Sequence, residues 1–227
     1  MNNKYLPSIA ALFVASLIIT NSIDQKLFAA GGLTLTVGII IFPLAYVFGD
    51  VLTEVYGYAT SRKVIWTGFA ALLLMILIYS VARALPPSPA WTHEAEFDLI
   101  FGRVPRITIA SMAAYWVGEF VNSFVVAKMK IASDGRRMGL RFILSTVLGQ
   151  ACDTVIFVGI AFVGILPWSV MPEVILSAWA VKVAWEIVAL PLTLYIVRRL
   201  KRAEGIDVYD RSTDFNPFSL GERDPTK

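Results

Sequence analysis

The chain has 227 residues, 57% of them hydrophobic and only 16% charged, with a formal net charge of +3. A soluble domain of this size carries about 25% charged residues, so the composition excludes an ordinary soluble domain and points to a single polytopic membrane bundle. One cysteine, Cys152, excludes a disulfide framework, and basic residues scattered at the ends of apolar segments leave no patch for a nucleic acid.

A helix needs about 20 apolar residues to cross the hydrocarbon. Six runs meet that length, roughly Tyr5 to Ile23, Leu33 to Tyr56, Lys63 to Leu85, Pro105 to Met129, Leu140 to Leu166 and Pro172 to Leu200. The expected fold is therefore all-α, six transmembrane helices in one bundle. A barrel would alternate apolar and polar residues. The first run is read as a retained span rather than a signal peptide, because only Lys4 precedes it and no small-x-small cleavage site stands out before Asp24. Phe42-Pro43 and Leu190-Pro191 interrupt the second and sixth runs, and each proline removes a backbone donor and should kink its helix.

The longest loop, Pro86 to Val104, holds the only histidine, His93, and the run EAEFDLIFG; it reads as an external lid or short interfacial helix. His93 has no second histidine or cysteine to complete a metal site. Residues 1–202 form the expected transmembrane domain, and 203–227 a polar, partly ordered extension. Fifteen of the twenty lysines and arginines fall on the side of the N-terminus, four on the other, and Lys182 lies within the membrane. The excess of basic charge places both termini in the cytoplasm.

The sixth run carries Lys182 and Glu186 four residues apart, on one helix face. Ionisable groups at bilayer depth cost several kcal/mol and mark substrate or ion paths. At 1.5 Å per residue, Lys182 and Gln150 both lie about 15 Å from a membrane face, near the midplane. Asp153 and Thr154 share the face of Gln150; Tyr115, Glu119 and Asn122 share one in the fourth run; Tyr46, Asp50 and Glu54 share one in the second. Glu54 is close enough to the cytoplasmic end for solvent to reach it, and Asp50 is intermediate. Asp50, Glu119, Asp153 and Glu186 thus face a single base, Lys182. They cannot all be ionised without large penalties, so some are protonated, hydrated, or balanced by a cationic or donor-rich ligand. The competing reading is polar glue between helices; four acids and a lysine spread over four spans favour a pocket.

Trp116 precedes Glu119 by three, and Trp179 and Trp185 flank Lys182 and Glu186. With acids, such rings suit a flat heterocycle rich in N–H donors, although tryptophan is also common at membrane interfaces. Ala110, Ala114 and Gly118 form a small-residue stripe suited to close helix packing, compatible with a homodimer. Phe48-Gly49-Asp50 and Ala151-Cys152-Asp153 do not match intramembrane aspartyl protease motifs. There is no Gly-x-Ser-x-Gly elbow, His-Glu-x-x-His or P-loop. The expectation is a non-enzyme without cofactor or metal.

Five ordered blocks carry a resemblance. FPLAYVFGDVLTEVYGY (42–58), YWVGEFVNSFVVAKMKI (115–131), STVLGQACDTVIFVGIAF (145–162), the segment 182–191 and TDFNPF (213–218) resemble the queuosine precursor transporter family. The resemblance implies a six-span bacterial inner-membrane protein that takes up 7-cyano-7-deazaguanine, 7-aminomethyl-7-deazaguanine or both, for queuosine in tRNA. On that implication Glu119, Asp153 and Glu186 become candidate acceptors for the base edge. Asn122 and Gln150 would orient the base, Lys182 would be a countercharge or donor to the ring carbonyl, and Asp50 a second acid or coupling site. Trp116 and Trp179 complete the expected site. A second reading is the substrate-binding subunit of an energy-coupling-factor vitamin transporter, with the small-residue stripe as its docking face.

Overall fold

The computed structural model describes residues 3–23, 26–30, 33–101, 105–164 and 166–219. The helices are α1 (Leu6–Ile23), α2 (Phe42–Tyr56), α3 (Tyr58–Ala84), α4 (Glu94–Phe101), α5 (Pro105–Ala132), α6 (Met138–Phe162) and α7 (Met171–Glu204). Among the described residues, five helical segments are long and apolar enough to cross a membrane, in α1, α3, α5, α6 and α7. The chain is a multi-pass membrane protein built almost wholly of helix.

The start of the second expected span is corrected. Leu27–Ala30 (β1) and Leu33–Thr36 (β2) pair antiparallel, and a 3-10 turn, Val37–Ile40, leads into α2. Leu33, Thr34, Leu35 and Thr36 alternate apolar and β-branched polar residues, a period-two pattern that suits a strand rather than a helix. Pro43 does not kink a helix. It stands in the first turn of α2, where its missing N–H has no intrahelical partner to lose. Pro191 lies inside α7, which continues through it.

The bundle is apolar on its outer face, and its interior mixes an apolar core around Phe13, Leu52 and Phe142 with buried polar groups. Leu73, Leu74, Leu77 and Ile78 of α3, Leu144 and Leu148 of α6, and Leu176, Val188 and Leu192 of α7 are exposed, whereas Asp50, Glu54, Glu119, Lys130 and Arg141 are buried. Exposed apolar side chains are expected where lipid rather than water is the surrounding solvent. The small-residue stripe is consumed within the bundle: Ala110 and Ala114 are buried, and a Cβ on Gly118 would stand 3.2 Å from the carbonyl oxygen of Gly149 in α6. The stripe therefore offers no face to a docking subunit or a second copy.

One end of the bundle brings the start of α1 to the end of α7. Glu204, at the end of α7, accepts hydrogen bonds from the backbone N–H groups of Lys4 (3.1 Å) and Tyr5 (2.7 Å), and from the hydroxyl of Tyr56 (2.8 Å). Residues 205–219 then return across this end as a strap. Asp207 and the carbonyl of Val208 receive Lys130, Asp210 accepts the Tyr58 N–H, and Arg62 donates to the carbonyls of Asp214 (2.6 Å) and Asn216 (2.8 Å). Beneath the strap lies Glu54, for which solvent access was expected. It is fully buried, because Arg141, Lys201 and Lys130 converge on it from three other helices. The loop helix α4 packs at the other end, tied by Arg83 to Asp98 (2.9 Å), and His93 is exposed beside Glu96.

Candidate functional site in the polar interior

The middle of the bundle is built on close backbone approach. A Cβ on Gly118 would lie 2.9 Å from Cβ of Asp153, and one on Gly149 would lie 3.1 Å from Cβ of Asn122. Only glycines let α5 and α6 meet this closely. Gly49 does the same for α2, since a Cβ there would fall 2.7 Å from Oε2 of Glu119. The three glycines bring the polar faces of α2, α5 and α6 to one place, and Lys182 and Glu186 close it from α7.

Within it, Lys182 donates to Oδ2 of Asp153, and Asn122 Nδ2 donates to Oδ1 of Asp50 at 2.9 Å. Glu119 lies in the electrostatic reach of Asp153 and Glu186, and Asp50 in that of Glu186 and Glu119. The structure thus brings together Asp50, Glu119, Asn122, Asp153, Lys182 and Glu186. Gln150 and Thr154 share the buried face of α6 with Asp153. Asp50, Glu119, Asn122 and Gln150 are each no more than 1% exposed.

Much of this polarity is left unused. Both carboxylate oxygens of Glu119, both ends of the Gln150 amide, Oδ2 of Asp50, Oε1 of Glu186 and Oδ1 of Asn122 are buried without a hydrogen-bond partner among the described residues. So are the hydroxyls of Thr146 and Thr154. Each such group costs about 1–3 kcal/mol in a folded protein. Such a concentration in one place is not what helix glue would leave, since glue satisfies its own members.

The tryptophans go elsewhere. Trp116 joins Trp66, Phe120 and Phe218 in an aromatic cluster that links α3 and α5 to the strap, with centroid distances of 5.2 to 5.7 Å. Trp179 donates Nε1 to the carbonyl of Val147 at 3.0 Å and lines an apolar cleft of about 450 Å³ with Val155 and Leu176. Trp185 is exposed on the outer face. Among the described residues, neither Trp116, whose Nε1 is buried and unpartnered, nor Trp179 hydrogen-bonds to the acids.

Tyr46, which spacing puts on one face with Asp50 but which the expected site leaves out, is buried in the reach of Asp153, Glu119 and Glu186. Sequence reasoning misses the ionic layer of Glu54, Arg141, Lys130 and Lys201, whose members read separately as charges near the ends of the spans.

Residues 36–196 match the model of a family described as "Putative vitamin uptake transporter". A protein of Bacillus subtilis named "Probable queuosine precursor transporter" is 31% identical over 161 residues, 70% of each chain. One of Haemophilus influenzae with the same name is 28% identical over 130 residues, 56% of this chain and 52% of the relative. No solved structure matches the chain.

Proposed function

Because the chain belongs to this family of membrane transporters, we propose that it takes up 7-deazaguanine precursors of queuosine across the inner membrane, for salvage into tRNA. The cargo is 7-cyano-7-deazaguanine, 7-aminomethyl-7-deazaguanine or both, and the carrier works without a nucleotide site of its own. The observation that carries this reading is the set of unpartnered polar atoms on Glu119, Gln150, Asp50 and Glu186, buried at mid-bundle. A guanine-like ring presents a ring N–H and an exocyclic amine on one edge, and a carboxylate accepts both in bidentate fashion. Orphaned acceptors in a desolvated interior are what such a donor edge would satisfy.

In this reading the chain crosses the membrane six times, with both termini in the cytoplasm. Glu204 ties the start of α1 to the end of α7, so the number of crossings is even, and α2 supplies the sixth. Its 15 helical residues and the 4 of the preceding 3-10 turn together measure about 30 Å, one hydrocarbon thickness. The end that holds Arg62, Lys130, Arg141 and Lys201 is the basic one and faces the cytoplasm.

The test is uptake. Cells that neither make nor import queuosine precursors are given each deazaguanine, and queuosine is scored in their tRNA. The wild type should restore it, whereas Lys182→Ala and Asp153→Asn, expressed equally, should not. Restoration by all three would move the site; restoration by none would overturn the reading.

A further inference from the structure

Resting on the transport reading, we propose that the site selects a cationic cargo: it binds the planar base through Glu119 and holds a positively charged side arm between Glu186 and Asp50, so that the aminomethyl base is preferred to the neutral cyano base. The argument is a division of labour among buried carboxylates. Asp153 is committed to Lys182, and one oxygen of Asp50 to Asn122. Glu119 is the acid with both oxygens unpartnered among the described residues, and a two-point N–H edge needs both. Gln150, 1% exposed with its carbonyl and its amide both unpartnered, adds a donor and an acceptor for the remaining ring positions.

That leaves acids without a basic partner. No lysine or arginine among the described residues lies within ion-pair distance of Asp50, Glu119 or Glu186. Other cations of the interior are engaged elsewhere: Arg141, Lys130 and Lys201 meet at Glu54, and Arg62 donates to the carbonyls of Asp214 and Asn216. Glu186 and Asp50 each keep a free oxygen, and Glu186 acts electrostatically on Asp50. In a water-poor interior a charge without a counterion is costly. An ammonium group that arrives with the substrate supplies the missing positive charge and donates up to three hydrogen bonds. A nitrile brings neither charge nor donor.

The experiment is equilibrium binding to the purified full-length protein in lipid nanodiscs, with 7-aminomethyl-7-deazaguanine and 7-cyano-7-deazaguanine as competing probes. The expected result is that the aminomethyl base binds at least about tenfold more tightly. Glu186→Gln and Asp50→Asn, both isosteric, should weaken the aminomethyl base by about tenfold and leave the cyano base nearly unchanged. Glu119→Gln should weaken both by similar factors, which separates reading of the ring from reading of the charge. Equal or tighter binding of the cyano base to the wild type overturns the inference and leaves the transport reading standing, as does equal weakening of both bases by Glu186→Gln. Binding of neither base overturns the transport reading and the inference with it. Should one variant fail to fold, the wild-type ratio and the other variants still decide.

Discussion

Glu54 of α2 accepts two hydrogen bonds from Arg141 of α6, 2.8 Å from Nε and 2.6 Å from Nη2, with neither side chain more than 1% exposed. Lys130 stands 3.6 Å from the same carboxylate, and Lys201 also contacts it. A carboxylate this deep is stable only because planar, bidentate pairing answers its desolvation. Arg141 also donates to the carbonyl of Arg136 at 2.8 Å, so one guanidinium fixes the α5–α6 turn and the foot of α2 together.

Arg141→Ala should therefore destabilise the protein by about 3–5 kcal/mol, the usual cost of breaking a buried pair by removing one partner. Arg141→Lys should fall between that variant and the wild type, since a lysine keeps the charge and loses the fork. Thermal unfolding of the detergent-solubilised protein reads both. An unchanged midpoint for Arg141→Ala would mean that Lys130 and Lys201 suffice to hold Glu54.

The strap carries a pH dependence through Asp207. Burial pushes its carboxyl up, but hydrogen bonds from Lys130 and Lys201 outweigh this and hold it below the usual aspartate range. A folded-state value below the unfolded one stabilises the docked strap fully above the unfolded value, about 3.9. The contribution is lost as pH falls through the lower, folded value. Proteolysis within 205–219 should be slow from pH 7 down to about pH 4 and accelerate below it. Asp207→Asn should loosen the strap already at pH 7 and flatten that profile; equal protection of variant and wild type at pH 7 would show that Asp207 does not hold it.

Asp210 takes the place of a helix cap supplied from far along the chain. Its two oxygens lie 3.1 and 2.9 Å from the N–H of Tyr58, the first residue of α3. No residue local to that helix start provides a cap. Asp210→Ala should cost about 1 kcal/mol, the typical worth of an N-terminal cap, and should speed hydrogen exchange at the first amides of α3 while leaving mid-helix amides unchanged. Uniform acceleration along α3 would point to global unfolding rather than a lost cap.

The parts of this molecule that were legible in sequence are those governed by hydrocarbon. Long apolar runs marked α1, α3, α5, α6 and α7, and ionisable residues inside them marked Asp153, Lys182, Glu119 and Glu186 as neighbours. Spacing along one helix could not reveal what depends on contact between helices. Glu54 looked like a loop-end acid because its partners, Arg141, Lys130 and Lys201, are spread over three other helices. Trp116 looked like a site residue because it precedes Glu119 by three, yet its ring turns toward Trp66 and Phe218. The strap was hidden because its anchors are mostly backbone carbonyls, those of Val208, Asp214, Asn216 and Pro217, and carbonyls carry no composition signal. The hairpin was legible in the alternation of Leu33 to Thr36, but the apolar total of the run outweighed it.

Two glycines separate binding from folding. At Gly118 an added methyl would meet Cβ of Asp153 at 2.9 Å and the Gly149 carbonyl oxygen at 3.2 Å. Neither neighbour can swing aside, so α5 and α6 must part. Gly118→Ala should cost about 1–3 kcal/mol, as overpacking does, and should also abolish uptake by pulling Asp153 from Lys182. At Gly49 the obstacle is Oε2 of Glu119 at 2.7 Å, with the rest of that carboxylate 3.5 Å away. The end of a glutamate side chain can rotate, and alanine is better than glycine in a helix by about 0.5–1 kcal/mol. Gly49→Ala should therefore leave the unfolding midpoint nearly unchanged while displacing the carboxylate proposed to read the base. Uptake should fall at least about tenfold with normal expression. Unfolding midpoints and uptake rates measured on the two variants in parallel test the contrast. Full uptake by Gly49→Ala would show that the position of Glu119 does not set substrate binding.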